Sequence, residues 1–183
     1  MNREQLAHVL RAAARIADDL DVVVLGSQAI LGSFSDESLP PEAVFSMEAD
    51  LAFRDDPDET KSDQIDGLLG EDSGFHAMNS YYAQGVTLDT AVLPGGWEQR
   101  VVPFDRADAL PSRAVCLEAH DLVISKLVAG REKDFEFTIA LMRAGLVSRD
   151  TLDERAGGLT APGAVIERVR AAIGRCSKRA QRM

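Results

Sequence analysis

Residues 47–53, MEADLAF, decide the fold of this chain. Apolar and acidic side chains alternate in this segment with the two-residue period of a β-strand. Glu48 and Asp50 therefore project from one face, about 7 Å apart along the strand, while Ala49 and Leu51 project from the other. The segment predicts a strand that buries one face and presents two carboxylates on the other.

The segment upstream indicates a neighbouring strand. Residues 21–26, DVVVLG, form a β-branched run that ends in glycine, which is typical of a short buried strand. Ser27 follows as the predicted N-cap of a short helix, QAILG. Glycine at such a turn lets the backbone approach a ligand, and amides at a helix start point towards an anion. Gly26 and Ser27 are therefore candidate phosphate-binding residues.

The remaining pattern is mixed at first and then helical. Helices are predicted over 2–19 and 62–69, a polar loop over 33–46, and strands over 86–94 and 97–104. From Cys116 onward the pattern is helical, with glycines at the ends of two helices and Ser148 at the start of another. We therefore expect an α/β fold: a short mixed sheet with flanking helices in residues 1–115, and a helical C-terminal region in residues 116–183.

Composition excludes several classes of protein. Of the 183 residues, 45% are hydrophobic and 27% are charged, which is the balance of a water-soluble globular protein. No apolar run reaches the roughly 18 residues that span a bilayer, and charges throughout the first twenty residues exclude a secretory signal. The two cysteines stand far apart in the sequence, which predicts a reducing, cytoplasmic location without a disulfide framework.

The charge is negative overall and unevenly distributed. A net charge of −10 argues against a protein that coats nucleic acid nonspecifically, because neutralising phosphates needs a basic surface. Residues 36–72 hold thirteen acids and two bases, whereas residues 161–183 hold six bases and one acid. Each run is either a solvated face or part of a functional site. As a site, the acidic run would collect metal ions, and the basic run, predicted as a helix over 165–182, would contact a polyanion.

Two groups of side chains have the chemistry of a phosphoryl-transfer site. Glu48 and Asp50 form either the solvent face of an edge strand or, with a third acid, Asp89, a set of ligands for Mg²⁺. The run Lys126–Asp134, KLVAGREKD, either forms local ion pairs at a helix junction or provides bases that meet a triphosphate.

In combination these features resemble the nucleotidyltransferase superfamily, whose core has a Gly-Ser or Gly-Gly turn, an acid-x-acid strand and a further downstream carboxylate. Residues 117–147, LEAHDLVISKLVAGREKDFEFTIALMRAGLV, resemble the C-terminal motif of a bacterial branch near the AbiEii and MenT toxin nucleotidyltransferases. The stretches GSQAILGSF, SMEADLAF, FHAMNSYYAQGV and AVLPGGW are also similar to members of this branch. The resemblance spans about residues 20 to 150.

The resemblance implies an Mg²⁺-dependent enzyme that transfers a nucleoside monophosphate from a nucleoside triphosphate to an acceptor hydroxyl. It implies three groups of site residues: metal ligands Glu48, Asp50 and Asp89, with Asp89 also the base; phosphate-binding Gly26, Ser27 and Gln28; and, on the basic run, Lys126, Arg131, Lys133 and Asp134. Two departures from the pattern are Glu in place of the first Asp and a 21-residue spacing from Ser27 to Glu48.

The toxin branch implies the 3′ end of a tRNA as the acceptor and a cognate antitoxin as partner. A protein hydroxyl is an alternative acceptor. A different class of function is a nucleotide-binding or protein-binding module that has kept the fold and lost turnover. No membrane partner is expected.

Overall fold

The first helix, α1, covers one side of the sheet. The computed structural model describes residues 1–182, and α1 spans Arg3–Ile16. Asn2 begins the helix, its side chain accepting a hydrogen bond from the backbone N–H of Gln5. The apolar positions that predicted the helix form its buried face: Leu6, Val9, Leu10 and Ala13.

The sheet has five short strands: β1 (Val22–Val24), β2 (Glu48–Phe53), β3 (Tyr82–Gly85), β4 (Val102–Pro103) and β5 (Val115–Cys116). Their order across the sheet is β3-β2-β1-β5-β4. The sheet is mixed, because β1 pairs antiparallel with β2 and parallel with β5, β2 runs parallel to β3, and β4 runs antiparallel to β5. The α/β architecture predicted from the sequence is confirmed.

Eight further helices surround the sheet within residues 1–182: α2 (Ile30–Ser33), α3 (Pro41–Val44), α4 (Thr60–Leu69), α5 (Gly74–Asn79), α6 (Ala119–Ala129), α7 (Glu132–Arg143), α8 (Arg149–Gly157) and α9 (Gly163–Gln181). Gly130 and Gly145 follow α6 and α7 with positive φ, as their positions predicted. Ser148 caps α8 through the backbone N–H of Thr151. The expected boundary after residue 115 lies inside β5, and buried residues of α6 and α9 share one core with α1 and β1.

The predicted strand over 86–94 is wrong. β3 ends at Gly85, and Leu88–Thr90 forms a single 3₁₀ turn. Val86, Leu88 and Ala91 pack against the core from this irregular segment, so their alternation did not require a strand. The strand over 97–104 is also mostly wrong, since a 3₁₀ turn precedes the two residues of β4.

The predicted loop over 33–46 contains ordered structure. Pro41 occupies the first turn of α3, where its missing N–H costs nothing, and Ala43 is buried. Ser27 is not an N-cap: Gly26 precedes a 3₁₀ turn over Ser27–Ala29 without any side-chain capping bond. Among residues 1–182, none of the helices combines the length and the apolar character needed to cross a membrane.

Candidate functional site

A cleft of about 930 Å³ opens where the ends of β1 and β2 meet helices α3, α6 and α7. β1 and β2 supply its acidic and glycine-containing wall, and the turn between α6 and α7 supplies its basic wall. The cleft brings together eight of the ten residues predicted from the sequence: Gly26, Ser27, Glu48, Asp50, Lys126, Arg131, Lys133 and Asp134.

The two carboxylates of β2 share the face that lines the cleft. Glu48 and Asp50 are partly exposed there, whereas Ala49 and Leu51 are buried on the opposite face, as the strand period predicted. Burial raises the pKa of Glu48, and the negative charge of Asp50 adds to this effect. Burial also raises the pKa of Asp50, against the opposing effect of Lys126, Lys133 and Arg131. Burial thus penalises the charged form of both carboxylates, and a cation bound beside them would offset that penalty.

Gly26 makes the position of Asp50 possible. The backbone N–H of Leu25 donates to the carbonyl of Asp50 over 2.9 Å, which holds the end of β1 beside β2. Gly26 has a φ of 52°, and a Cβ at this position would lie 1.6 Å from Oδ2 of Asp50. Only glycine leaves room for the carboxylate against the backbone. The close approach predicted at this turn is thus occupied by the carboxylate of the chain itself.

Lys126 anchors the opposite wall. Its Nζ lies 3.3 Å from Oδ1 of Asp134 and 4.9 Å from the centre of the Phe137 ring. Both charged side chains are buried, with 12% exposure for Lys126 and 4% for Asp134. Burial lowers the pKa of Lys126, and the carboxylates of Asp134 and Asp50 oppose that shift. The ammonium is thus held at the cleft between two acids.

Asp134 also fixes the turn between α6 and α7. Its Oδ2 accepts a hydrogen bond from the backbone N–H of Arg131 over 3.1 Å. This contact lies at the first turn of α7, where a carboxylate is favoured by the helix dipole. Arg131 and Lys133 remain exposed and extend the basic wall towards solvent.

The charge of the cleft bears on whether a divalent cation fits. Five acids and three bases line it, the acids being Glu42, Glu48, Asp50, Asp134 and Glu136 and the bases Lys126, Arg131 and Lys133. This net negative lining opposes a free triphosphate, whereas a triphosphate bound to a divalent cation carries less charge. Mg²⁺ takes one or two protein carboxylates together with waters and phosphate oxygens. Glu48 and Asp50 fit that donor set.

Two of the predicted residues lie elsewhere. Asp89 is exposed on the 3₁₀ turn after β3, accepts a hydrogen bond from the Thr87 hydroxyl, and is absent from the cleft lining, although Thr90 is part of it. In the described part of the chain no three Asp, Glu, His or Cys side chains form a group that could hold a metal ion. The predicted convergence of three carboxylates is therefore not present.

Gln28 is completely buried and does not line the cleft. Its Nε2 donates to the carbonyl of Ser46 over 2.9 Å, which fastens the segment before β2 to the turn after β1. Because α2 is four residues long, the helix dipole predicted to favour an anion there is small. Gln28 therefore supports the site from behind the cleft lining.

Gln84 and Phe45 are two of the cleft residues that the sequence did not predict as site residues. Gln84 stands opposite Asp50 in the parallel pairing of β2 with β3 and lines the cleft. The alternation of Tyr82, Ala83 and Gln84 was a signal for this strand. Phe45 lines the cleft with 87% of its surface exposed, and its place in a polar segment hid it.

The mixed sheet, the Gly-Ser turn and the acid pair on the adjoining strand together define a nucleotidyltransferase-like fold. In agreement, residues 4–161 match the family described as "Nucleotidyltransferase of unknown function (DUF6036)", and the chain belongs to that family. No curated protein and no solved structure matches it. Membership of the nucleotidyltransferase superfamily is confirmed, and the narrower resemblance to AbiEii and MenT toxins stays a prediction.

Proposed function

We propose that the cleft binds a nucleoside triphosphate together with Mg²⁺ and that the protein transfers the nucleoside monophosphate to an acceptor hydroxyl. One observation carries the proposal: the acid pair Glu48 and Asp50 faces the bases Lys126, Arg131 and Lys133 across a single cleft. Membership of a nucleotidyltransferase family supports the reaction class.

In this proposal the basic wall binds the phosphates and the acidic wall binds the metal ion. Lys126 holds a phosphate from a fixed position, because its ammonium is anchored to Asp134. Arg131 and Lys133 are exposed and close on the outer phosphates as the ligand enters, arginine with two parallel hydrogen bonds. The backbone at Gly26 and Ser27 bounds the phosphate side of the cleft. The exposed ring of Phe45 stacks on the base.

Glu48 and Asp50 would hold the metal ion. When bound, Mg²⁺ supplies neutralisation of the charge that develops on the phosphoryl oxygens. Burial disfavours the charged form of both carboxylates and raises their pKa values, and the charge of Asp50 adds to the shift of Glu48. A bound cation would offset both effects, so the fold places this pair of carboxylates where a metal ion is favoured.

In the transfer step a nucleotidyl group passes from pyrophosphate to the acceptor hydroxyl. The acceptor hydroxyl oxygen bonds to the α-phosphorus, the bond from that phosphorus to the α–β bridging oxygen breaks, and pyrophosphate leaves with the electron pair. The hydroxyl proton passes to a carboxylate. Asp89 is the base that the family resemblance implies, but Glu48 lines the cleft and Asp89 does not, which favours Glu48.

The test is calorimetric titration of each of the four nucleoside triphosphates with and without Mg²⁺. We expect binding that needs Mg²⁺ and that is lost in Asp50→Asn and weakened in Glu48→Gln, with the folded state retained. Asp58→Asn, the same substitution at an exposed position outside the cleft, is the matched control. Equal binding by Asp50→Asn and Asp58→Asn would refute the metal site.

A module that binds nucleotide without turnover is the second candidate. Its support is specific: Gln84 stands beside Asp50 where a third acid would complete the set, and Asp89 is outside the cleft. Mg²⁺-dependent binding without pyrophosphate release, in the presence of RNA or protein acceptors, would favour this module over the enzyme.

The acceptor is proposed from the family resemblance: the 3′ end of a tRNA, with a protein hydroxyl as the alternative. On the same basis the protein is proposed to be a cytoplasmic toxin whose partner is a cognate antitoxin. Incubation with α-labelled triphosphate and total tRNA or total protein separates the two acceptors. A small neighbouring gene product that co-purifies with the chain and blocks labelling would support the antitoxin.

A further inference from the structure

A second groove lies behind the first turn of α7. It has a volume of about 460 Å³ and is bounded by α7 on one side and α9 on the other. Phe135, Ile139 and Cys176 form its apolar floor, and Arg175 and Arg179 form its α9 wall. Glu136 lines both this groove and the larger cleft, so the two cavities are adjacent.

The arginines of the groove belong to a longer row. Arg168, Arg175 and Arg179 of α9 and the C-cap residue Arg182 follow one another at intervals of seven, four and three residues, which places them on one side of the helix. At one end Arg168 donates to the carbonyl of Val128, in the last turn of α6. Among residues 1–182, neither Arg175 nor Arg179 forms an ion pair, so both are available to an anionic ligand.

Aromatic and acidic groups complete the groove. The guanidinium carbon of Arg175 lies 6.0 Å from the centre of the Phe135 ring, so the groove holds an aromatic ring beside a cation. Glu132 and Glu136 form the opposite wall. Two acids facing two arginines repel a ligand that offers only negative charge, such as an acidic peptide.

A ribonucleotide offers a partner to each part of this groove. Its phosphate can pair with the two arginines, its base can stack against Phe135, and its 2′-hydroxyl and amino groups can donate to Glu132 and Glu136. We propose that the groove binds one nucleotide of a single-stranded RNA, whose backbone follows the arginine row of α9. The further step, that this RNA is the acceptor of the transfer, rests on the proposed function.

Fluorescence anisotropy of a labelled single-stranded RNA of about 12 nucleotides, within the range of single-stranded sites, tests the groove. Arg175→Ala and Arg179→Ala should each weaken binding about tenfold and reduce the slope of log affinity against log salt by about 0.7. Phe135→Leu should weaken binding without changing the slope. Arg170→Ala is the matched control, since Arg170 is exposed on α9 but does not line the groove.

Three outcomes overturn the proposal: no RNA binding by the parent protein, an equal effect of Arg170→Ala and Arg175→Ala, or displacement of the RNA by polyglutamate at equal charge. The last would assign the groove to an acidic protein. Binding of Mg²⁺ and triphosphate, measured on the same variants, should stay unchanged. If only the proposal for the large cleft is wrong, triphosphate binding will be absent and the RNA result unchanged, so the two proposals can be refuted separately.

Discussion

Replacing Gly26 with alanine tests the geometry that joins the two strands at the site. The new methyl carbon would be placed 1.6 Å from Oδ2, 2.6 Å from Cγ and 3.2 Å from Cβ of Asp50. The carboxylate must therefore rotate away from β1, whereas the Cβ of Asp50 needs to shift by only a few tenths of an ångström. Alanine must also adopt the φ of 52° that glycine has here.

The two effects have different magnitudes and readouts. Backbone strain of this kind costs about 1–3 kcal/mol, which for a chain of this length lowers the melting temperature by about 2–12 °C. A carboxylate moved by an ångström or more loses its position for a metal ion, and we expect about 100-fold weaker Mg²⁺-dependent nucleotide binding. In an Asp50→Ala background only the backbone strain remains, so Gly26→Ala should destabilise that protein less.

Thermal melts and calorimetric titration measure both effects. Gly67→Ala is the control, because Gly67 is exposed in α4 with no atom within 4 Å of an added Cβ. That substitution should raise stability by up to about 1 kcal/mol and leave binding unchanged. Retention of parental nucleotide affinity in Gly26→Ala would refute the reasoning, since Asp50 would not need its position beside Gly26.

Three further predictions concern the charged residues. Because the pKa of Asp50 is raised on folding, the protein without metal should lose stability as pH rises from the ordinary carboxyl pKa through the raised one; Asp50→Asn should be more stable than the parent at pH 7 and lack that loss in melts across pH. Lys126→Ala should weaken triphosphate binding by about 1–3 kcal/mol in calorimetry. It should also destabilise the fold, because the buried carboxylate of Asp134 loses its partner; adding Asp134→Asn to that variant removes the unpaired charge and should recover part of the lost stability. Asp89→Asn should leave Mg²⁺-dependent binding within about twofold of the parent, because its carboxylate lies outside the cleft lining; a loss as large as that of Asp50→Asn would return Asp89 to the metal site.

The parts of the site that follow local rules were predictable from the sequence. Strand alternation alone places Glu48 and Asp50 on one face, because the period of two does not depend on what packs nearby. Gly130 could be predicted to end α6 because a left-handed residue after a helix favours glycine. Lys126 and Asp134 then meet across that turn, eight residues apart in the sequence.

The parts of the fold and of the site that depend on packing could not be predicted from the sequence. The segment from Val86 to Ala91 alternates like a strand, yet after the Val86 N–H has donated to the Leu51 carbonyl the chain turns into the 3₁₀ segment Leu88–Thr90. Gln28 has the sequence position of a ligand-binding residue, but its amide is used by the Ser46 carbonyl. Phe45 lies exposed at the cleft because it directly follows α3, a helix within the segment that was predicted to be a polar loop. Each error arose where tertiary contacts decided between equal local patterns.

Transfer of label from α-labelled and γ-labelled triphosphates tests the central claim most directly. With Mg²⁺ and an RNA acceptor, the account predicts that α-label becomes attached to the acceptor, that γ-label is released in pyrophosphate, and that Asp50→Asn does neither. Attachment of the γ-label to the acceptor, or tight Mg²⁺-dependent binding with no label released, would contradict nucleotidyl transfer at this cleft.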